Sequence, residues 1–281
     1  MKVYLDDKNS VYTELKEHLS IAKELKEDGL DILLTHETRK TVGQNFDRLI
    51  INLQHGRQAI SEKLNPEIHS LVWGKKDREL LIARKDKPKT IHIVGCPLFR
   101  KLKPRQKHKG INIVYTPFSQ GDFPINYQIR DELRRLRGVN IITKLVETYN
   151  IKDFDNSIAT DSDTLIHLEI YSHILSIADL VVTPHEQTFA LMAQYLDIPV
   201  VGLWENQLKI PSGVNIGKPS EGCKFSTIHD LVVTVENQLR NPKELRGERK
   251  RAAIDFGGAD IKNPIEEIIE TTKQLYSLWK P

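Results

Sequence analysis

Residues 178–204 pack a strand, a tight turn, a helix and a second strand into one short run, and few folds accept that order. Leu180–Thr183 is short, apolar and β-branched, as a strand buried on both faces of a parallel sheet must be. Pro184 ends it. Thr188 to Leu196 carries apolar residues at helical spacing, and Pro199–Leu203 reads as a second buried strand. The turn His185-Glu186-Gln187-Thr188 therefore stands at the carboxyl end of a strand and the amino end of a helix. Free backbone N–H groups and the positive helix end favour a phosphate there. Open α/β sheets also bind their ligands at this edge. An ordinary capped strand–turn–helix has the same pattern, because Gln-Thr is a weak signal at a helix start.

The same alternation runs through the chain. Strands are expected near Lys2–Leu5, Asp31–Thr35, Leu49–Leu53 and Leu71–Trp73, then near Thr90–Val94, Asn112–Tyr115 and Asn140–Lys144. Helices are expected over about Val11–Glu27, Asn126–Arg137, Ile166–Ile177, Gln187–Leu196, Thr227–Arg240 and Pro264–Leu278, the last with Pro264 suited to its first turn. Strands alternating with helices mean an α/β protein whose parallel sheets are covered on both faces. Polar, basic residues between Ala83 and Thr90 mark a change in composition. They divide the chain into a smaller domain over 1–86 and a larger one over 87–281, whose last helix can pack back on the first. If the halves face each other, their carboxyl strand edges form a cleft.

At 281 residues, with 39% hydrophobic and 28% charged residues, the chain has the composition of an ordinary globular protein. No apolar run approaches the roughly 18 residues needed to cross a bilayer, and Met1–Asp7 has no signal-peptide core. The expectation is a cytoplasmic protein without an integral membrane segment. Cys96 and Cys223 stand far apart, which speaks against a disulfide framework or a zinc site. Net charge is only +3, yet six of the ten residues from Arg100 to Lys109 are Lys or Arg. Such a run is either a solvated loop or a surface for phosphates, nucleic acid or anionic layers.

Four segments carry chemistry. In Asn52-Leu53-Gln54-His55-Gly56-Arg57 a strand ends and His55 stands at its carboxyl edge. A neutral imidazole, with an ordinary pKa near ~6.5, can take a proton from an acceptor hydroxyl. A solvent-facing loop histidine is the plainer alternative. His36 and Glu37 follow a neighbouring strand and can orient His55 or replace it as base, or simply cap a helix. Thr116 and Ser119 follow a strand of the second domain, where hydroxyls line phosphate or ribose pockets. In the turn after Pro184, His185 and Thr188 offer hydrogen bonds to a phosphate. Glu186 suits sugar hydroxyls better, since it repels a diphosphate. Asp161-Ser162-Asp163 spells a metal-binding DxD, but it lies in a polar loop and no metal site is assigned to it.

Taken in order, these segments resemble the GT-B glycosyltransferase superfamily, in its CDP-glycerol glycerophosphotransferase-like and surface-carbohydrate branch, with kinship to the UDP-N-acetylglucosamine 2-epimerases. Asp31–Gly56 resembles the family's strand, crossover and strand ending in His-Gly. Ser70–Gly74 resembles its "vlvwG" strand, Ile93–Pro97 its linker and Ile113–Pro117 its "ilyaPt" strand. Ile141–Leu145 resembles "iiKlHp", Ala178–Pro199 the donor-binding unit and Phe256–Ile269 the closing turn and helix. The resemblance implies two Rossmann-like domains facing across a cleft. It also implies a nucleotide-activated donor, UDP- or CDP-linked, bound mainly by the second domain without a further cofactor. His55 falls on the proposed catalytic base. Thr183, His185, Gln187 and Thr188 fall on the pyrophosphate-binding turn, and Lys144 on the family lysine. Val146 replaces the family His, and Met192 replaces a ribose-binding Glu.

The expectation is a metal-independent GT-B-type glycosyltransferase moving a glycosyl or polyol-phosphate group to an acceptor hydroxyl. The acceptor is a surface glycan polymer or a modified DNA base, held by cations such as Arg57, Lys101, Lys103 and Arg105. A UDP-sugar 2-epimerase and a non-catalytic nucleotide binder are the alternatives.

Overall fold

In a computed structural model of the chain, the described residues are 1–6, 12, 14–20, 31–35, 48–54, 68–85, 88–117, 124–146, 157–160, 164–184, 188–203 and 222–279. Of 145–146, 157–160 and 164–168 only the backbone is described. Two compact units result: Met1–Pro97 with Ile254–Pro281, and Leu98–Ala253.

The first unit holds β1 (Val3–Asp6), α1 (Leu15–His18), β2 (Ile32–Thr35), β3 (Leu49–Leu53), β4 (His69–Val72), α2 (Lys75–Ile82) and β5 (Thr90–Ile93). All five strands are parallel and lie in the sheet in chain order. β2 and β3 are buried along their whole length, which is why they read as unbroken apolar runs. The expected helix over Val11–Glu27 is described only as α1, which stops at His18. Leu19 turns to extended backbone (φ −119°, ψ 146°), and Ser20 then accepts a hydrogen bond from the Val3 N–H. Composition places Thr90–Ile93 beyond the domain boundary. The strand instead pairs with β4 as the fifth of the first sheet, so the chain leaves this unit after Pro97.

The second unit contains β6 (Ile111–Tyr115), α3 (Pro124–Leu133), β7 (Val139–Val146), β8 (Ser157–Thr160), α4 (Thr164–Ser176), β9 (Leu180–Thr183), α5 (Thr188–Tyr195), β10 (Val200–Leu203), β11 (Cys223–Ser226) and α6 (Leu231–Arg240). α7 (Arg246–Gly257) straddles the division between the units, and α8 (Pro264–Trp279) belongs to the first, against β3 and α1. The strand order is β11-β10-β9-β6-β7-β8, again all parallel. Winding runs outward from β6 through β7 to β8, then restarts on the other side of β6 and runs outward through β9, β10 and β11. Right-handed crossovers therefore place α3 and α5 on opposite faces. α3 and α6 cover the face that shows Ile113, Tyr115, Leu180, Val182 and Val201, while α5 packs on β9 and β10. This is a doubly wound sheet with a single reversal, between β6 and β9.

Among the described residues no helix is long and apolar enough to cross a membrane.

Gly258 has φ +59°, and a Cβ there would lie 2.3 Å from the Trp73 carbonyl oxygen and 2.8 Å from Gly95 Cα. Only glycine lets the chain pass the exits of β4 and β5 on its way to α8. Gly258→Ala is expected to destabilise the protein by at least about 2 kcal/mol, from left-handed strain plus overpacking. Urea unfolding measures it.

Across the amino ends of β4 and β5, His69 Nδ1 and His92 Nε2 lie 2.7 Å and 3.0 Å from the Thr90 hydroxyl oxygen. The hydroxyl carries one proton, so it donates to one imidazole and accepts from the other. Burial, with Lys89 and His92 adding repulsion, holds the His69 pKa below the usual histidine value. Burial and Arg78 do the same for His92. The folded state therefore favours neutral rings: stability is full above the ordinary value near ~6.5 and is lost as pH falls below it. The melting temperature is expected to drop between neutral pH and about pH 5.5, and to drop less in the His69→Gln, His92→Gln double variant.

Candidate functional site

An open parallel sheet binds ligands where its winding reverses, because the two flanking loops turn away from each other and leave a gap. The first sheet, wound in one direction, has no such point among its described strands. The second has one, at the carboxyl ends of β6 and β9. The two strands are held in register there: Tyr115 pairs with Val182, and the Thr116 N–H donates to the Val182 carbonyl at 3.0 Å. Thr116 and Thr183 bring hydroxyls to this exit, and both are buried. The Thr116 side chain is 1% exposed, and its Oγ1 has no hydrogen-bond partner among the described residues. An orphaned buried hydroxyl costs about 1–3 kcal/mol. Its place at the reversal point suits a polar ligand that supplies the missing partner.

Lys144 arrives beside it. Thr143 pairs with Tyr115, so Lys144 sits one residue further along β7, at the same edge. Its ammonium Nζ lies 4.5 Å from the centroid of the Tyr171 ring and 5.7 Å from that of Phe189. The two rings meet edge to face, with centroids 5.5 Å apart. Phe189 is the second residue of α5, so the cation rests against the first turn of a helix, the end that already carries positive charge. Among the described residues no carboxylate pairs with Lys144, and no acidic residue occupies the first turn of α5. An unneutralised ammonium beside a helix N-terminus and an unpaired hydroxyl is an anion-binding arrangement.

Other expected residues lie elsewhere. Thr188 is the first residue of α5. Ser119, His185, Glu186 and Gln187 lie outside the described residues, as do His36, Glu37, His55 and Arg57. The strands that lead to His36 and His55 are neighbours, with Thr35 opposite Asn52. Lys101 closes a 3-10 helix over Pro97–Lys101. Arg105 lies at the opposite edge of the second sheet from the exits of β6 and β9, and Lys103 lies against α4. The Lys103 N–H donates to Ser172 Oγ at 2.7 Å, and Arg105 Nη2 to the Ala178 carbonyl at 3.0 Å, just ahead of β9. A four- or five-residue strand separates the two edges by roughly 13–17 Å. Arg105 therefore stands away from the exits of β6 and β9. Among the described residues no group of three His, Cys, Asp or Glu side chains can hold a metal ion.

In the first unit, Gln54 has every polar group occupied. Its N–H donates to the Leu71 carbonyl at 3.1 Å, and its carbonyl accepts from the Tyr12 hydroxyl. Its Nε2 donates to Asp77 Oδ2 at 2.7 Å, and its Oε1 accepts the Trp73 N–H at 2.8 Å. Trp73 Nε1 donates to the Tyr12 hydroxyl at 3.2 Å. All four side chains are buried. The residue immediately ahead of His55 is thus anchored from four sides.

Nothing in the sequence marks Tyr171, Phe189, Tyr12 or Asp77. Each stands far along the chain from the residue it contacts, so no spacing announces it.

No protein-family model matches the chain, and no curated protein matches its sequence. Solved structures do match in fold. The wall teichoic acid polymerase TagF, soaked with CDPG, superposes with a TM-score of 0.61 at 11% identity, over 100% of this chain and 89% of that one. S. aureus MnaA, solved with UDP, gives 0.58 at 13% identity over 98% and 82%. Sucrose-phosphate synthase from Thermosynechococcus elongatus gives 0.53 at 14% identity over 89% and 75%. The chain has the fold of the GT-B glycosyltransferases and of the UDP-N-acetylglucosamine 2-epimerases.

Thr116→Val keeps the β-branched shape and removes the orphaned hydroxyl. It is expected to raise the unfolding free energy of the ligand-free protein by about 1 kcal/mol, read from urea unfolding. An unchanged or lowered value means the hydroxyl has a partner in solution.

Proposed function

We propose that the protein is a GT-B-type transferase that moves a glycosyl or polyol-phosphate group from a nucleotide-activated donor to an acceptor hydroxyl. The observation that carries the reading is the anion-binding arrangement at the winding reversal: Lys144, which has no carboxylate partner among the described residues, the α5 N-terminus and the Thr116 hydroxyl. The donor's phosphates bind there, with His185, Gln187 and Thr188 contributing from the turn and Thr183 and Ser119 from the flanking exits. Glu186 is assigned to the donor's sugar hydroxyls. The solved relatives that carry CDPG and UDP support a nucleotide donor.

Chemically, His55 removes the acceptor proton, with His36 or Glu37 orienting its ring. The acceptor oxygen attacks the anomeric carbon, and the bond from that carbon to the donor phosphate breaks. The electron pair leaves with the nucleoside diphosphate. Where the group is a polyol phosphate, attack falls on the β-phosphorus and a nucleoside monophosphate departs. Lys144 and the helix end stabilise the charge gathering on the leaving phosphate, an effect strongest in a site closed to water. The acceptor is a surface glycan polymer or DNA.

A ligand that prefers the native state raises apparent stability by mass action. UDP or CDP at saturating concentration is therefore expected to raise the melting temperature, and Lys144→Met to remove most of that rise. His55→Ala is expected to keep the nucleotide-induced rise and to lower transfer at least ~100-fold, in line with loss of a general base. Turnover unchanged in His55→Ala would falsify the assignment of the base. Absence of any nucleotide shift in the unsubstituted protein overturns the donor site.

A further inference from the structure

The amino-terminal edge of the second sheet gathers cations from two separate loops. Residues 103–109 run along the C-terminal part of α4, where the Lys103 N–H meets Ser172 Oγ and the Gln106 N–H meets the Ser176 carbonyl, each at 2.7 Å. They then pass in front of β9, where Arg105 and His108 both engage Asp179, and enter β6. The loop out of α3 enters β7 next door, because Ile111 and Val139 are paired. Lys107 and Lys109 on one loop thereby come beside Arg137 on the other, and all three are exposed. Asp179 is taken up by Arg105 and His108, while Asp131 and Glu132 are taken up by Arg130, Arg134 and Arg135. Lys103, Lys107, Lys109 and Arg137 keep no ionic partner among the described residues. Three of these cations, Lys107, Lys109 and Arg137, come together on one edge of a chain whose net charge is +3.

We propose that this edge docks the phosphate backbone of duplex DNA without reading its sequence. A polyanion gains from releasing its counterions to such a patch, and the contact needs no groove-reading side chain. A lipid surface is less well matched: membrane binding adds buried apolar area to charge, and Ile111, 38% exposed, is the one large apolar side chain exposed within the patch. Single-stranded nucleic acid asks for aromatic stacking platforms, and 101–111 and 134–140 contain no Phe, Trp or Tyr. The patch lies at the opposite edge from the donor crevice, so it holds the polymer rather than the reacting group. Its link to the acceptor rests on the transferase reading, whereas the docking does not.

The test is fluorescence anisotropy of the full chain on a short labelled duplex of arbitrary sequence, at salt from about 50 to 200 mM. Lys107→Gln, Lys109→Gln, Arg137→Gln is expected to weaken binding and to flatten the salt slope by about 0.9 for each phosphate that the patch ceases to neutralise. Its urea midpoint should match that of the unsubstituted protein. Lys262→Gln, Lys273→Gln, exposed in the first unit, should change neither affinity nor slope. The proposal fails if the control pair weakens binding as much as the triple variant, or if the triple variant keeps the full slope. It also fails if the protein sediments with phosphatidylglycerol-rich vesicles while the duplex does not compete. Nucleotide thermal shifts on the triple variant separate this outcome from the donor site: they persist whether or not DNA binds.

Discussion

The change of winding direction between β6 and β9 governs the second unit. It decides which helices cover which face, and it is the one place among the described strands where successive connections turn opposite ways. Thr116, Thr183 and Lys144 come together at the exits of β6 and β9 because of it. Thr116 and Thr183 are the residues at which two oppositely wound halves leave the sheet, and Lys144 is one strand further out. The first sheet, laid down in chain order, has no comparable opening among its described strands. The asymmetry between the two units is topological before it is chemical.

At that opening the free protein carries an arrangement that is poor for stability. An ammonium rests near the positive end of a helix, and a buried hydroxyl goes without a partner among the described residues. The Tyr171 and Phe189 rings offset part of the cost, since a cation over an aromatic face contributes about 0.5–2 kcal/mol. They do so without supplying a negative charge, which leaves the ammonium able to meet an anion. A carboxylate in their place would neutralise Lys144 and close the site to phosphate. Sites that bind are often kept slightly unsatisfied in this way, at some expense to the fold around them.

The first unit shows the opposite strategy. Gln54, Tyr12, Trp73 and Asp77 form a buried polar group in which the central residue leaves nothing unpaired. A partly satisfied network at this depth would weaken the core, whereas a complete one restricts it to a single arrangement. The chain therefore departs from β3 toward His55 from a rigid point, close to where Gly258 admits the returning chain past Trp73.

Much of this can be read from residue order. Unbroken apolar runs such as Leu180–Thr183 and Leu49–Leu53 announce strands buried on both faces, and the proline after Thr183 marks where one ends. That is local information, and it is enough for the α/β class, for β9 and α5 and for the Lys144 strand. Ser157–Thr160, Cys223–Ser226 and the helices Lys75–Ile82 and Arg246–Gly257 give no clear signal, because polar and charged residues dilute their apolar period. The boundary near residue 86 follows composition, while Thr90–Ile93 follows its hydrogen bonds to β4, which composition does not encode. Strand order, the seat of Lys144 against two rings and the placing of Arg105 ahead of β9 all join residues distant along the chain. Such pairings arise from packing and from the handedness of crossovers, and a one-dimensional pattern holds no record of them.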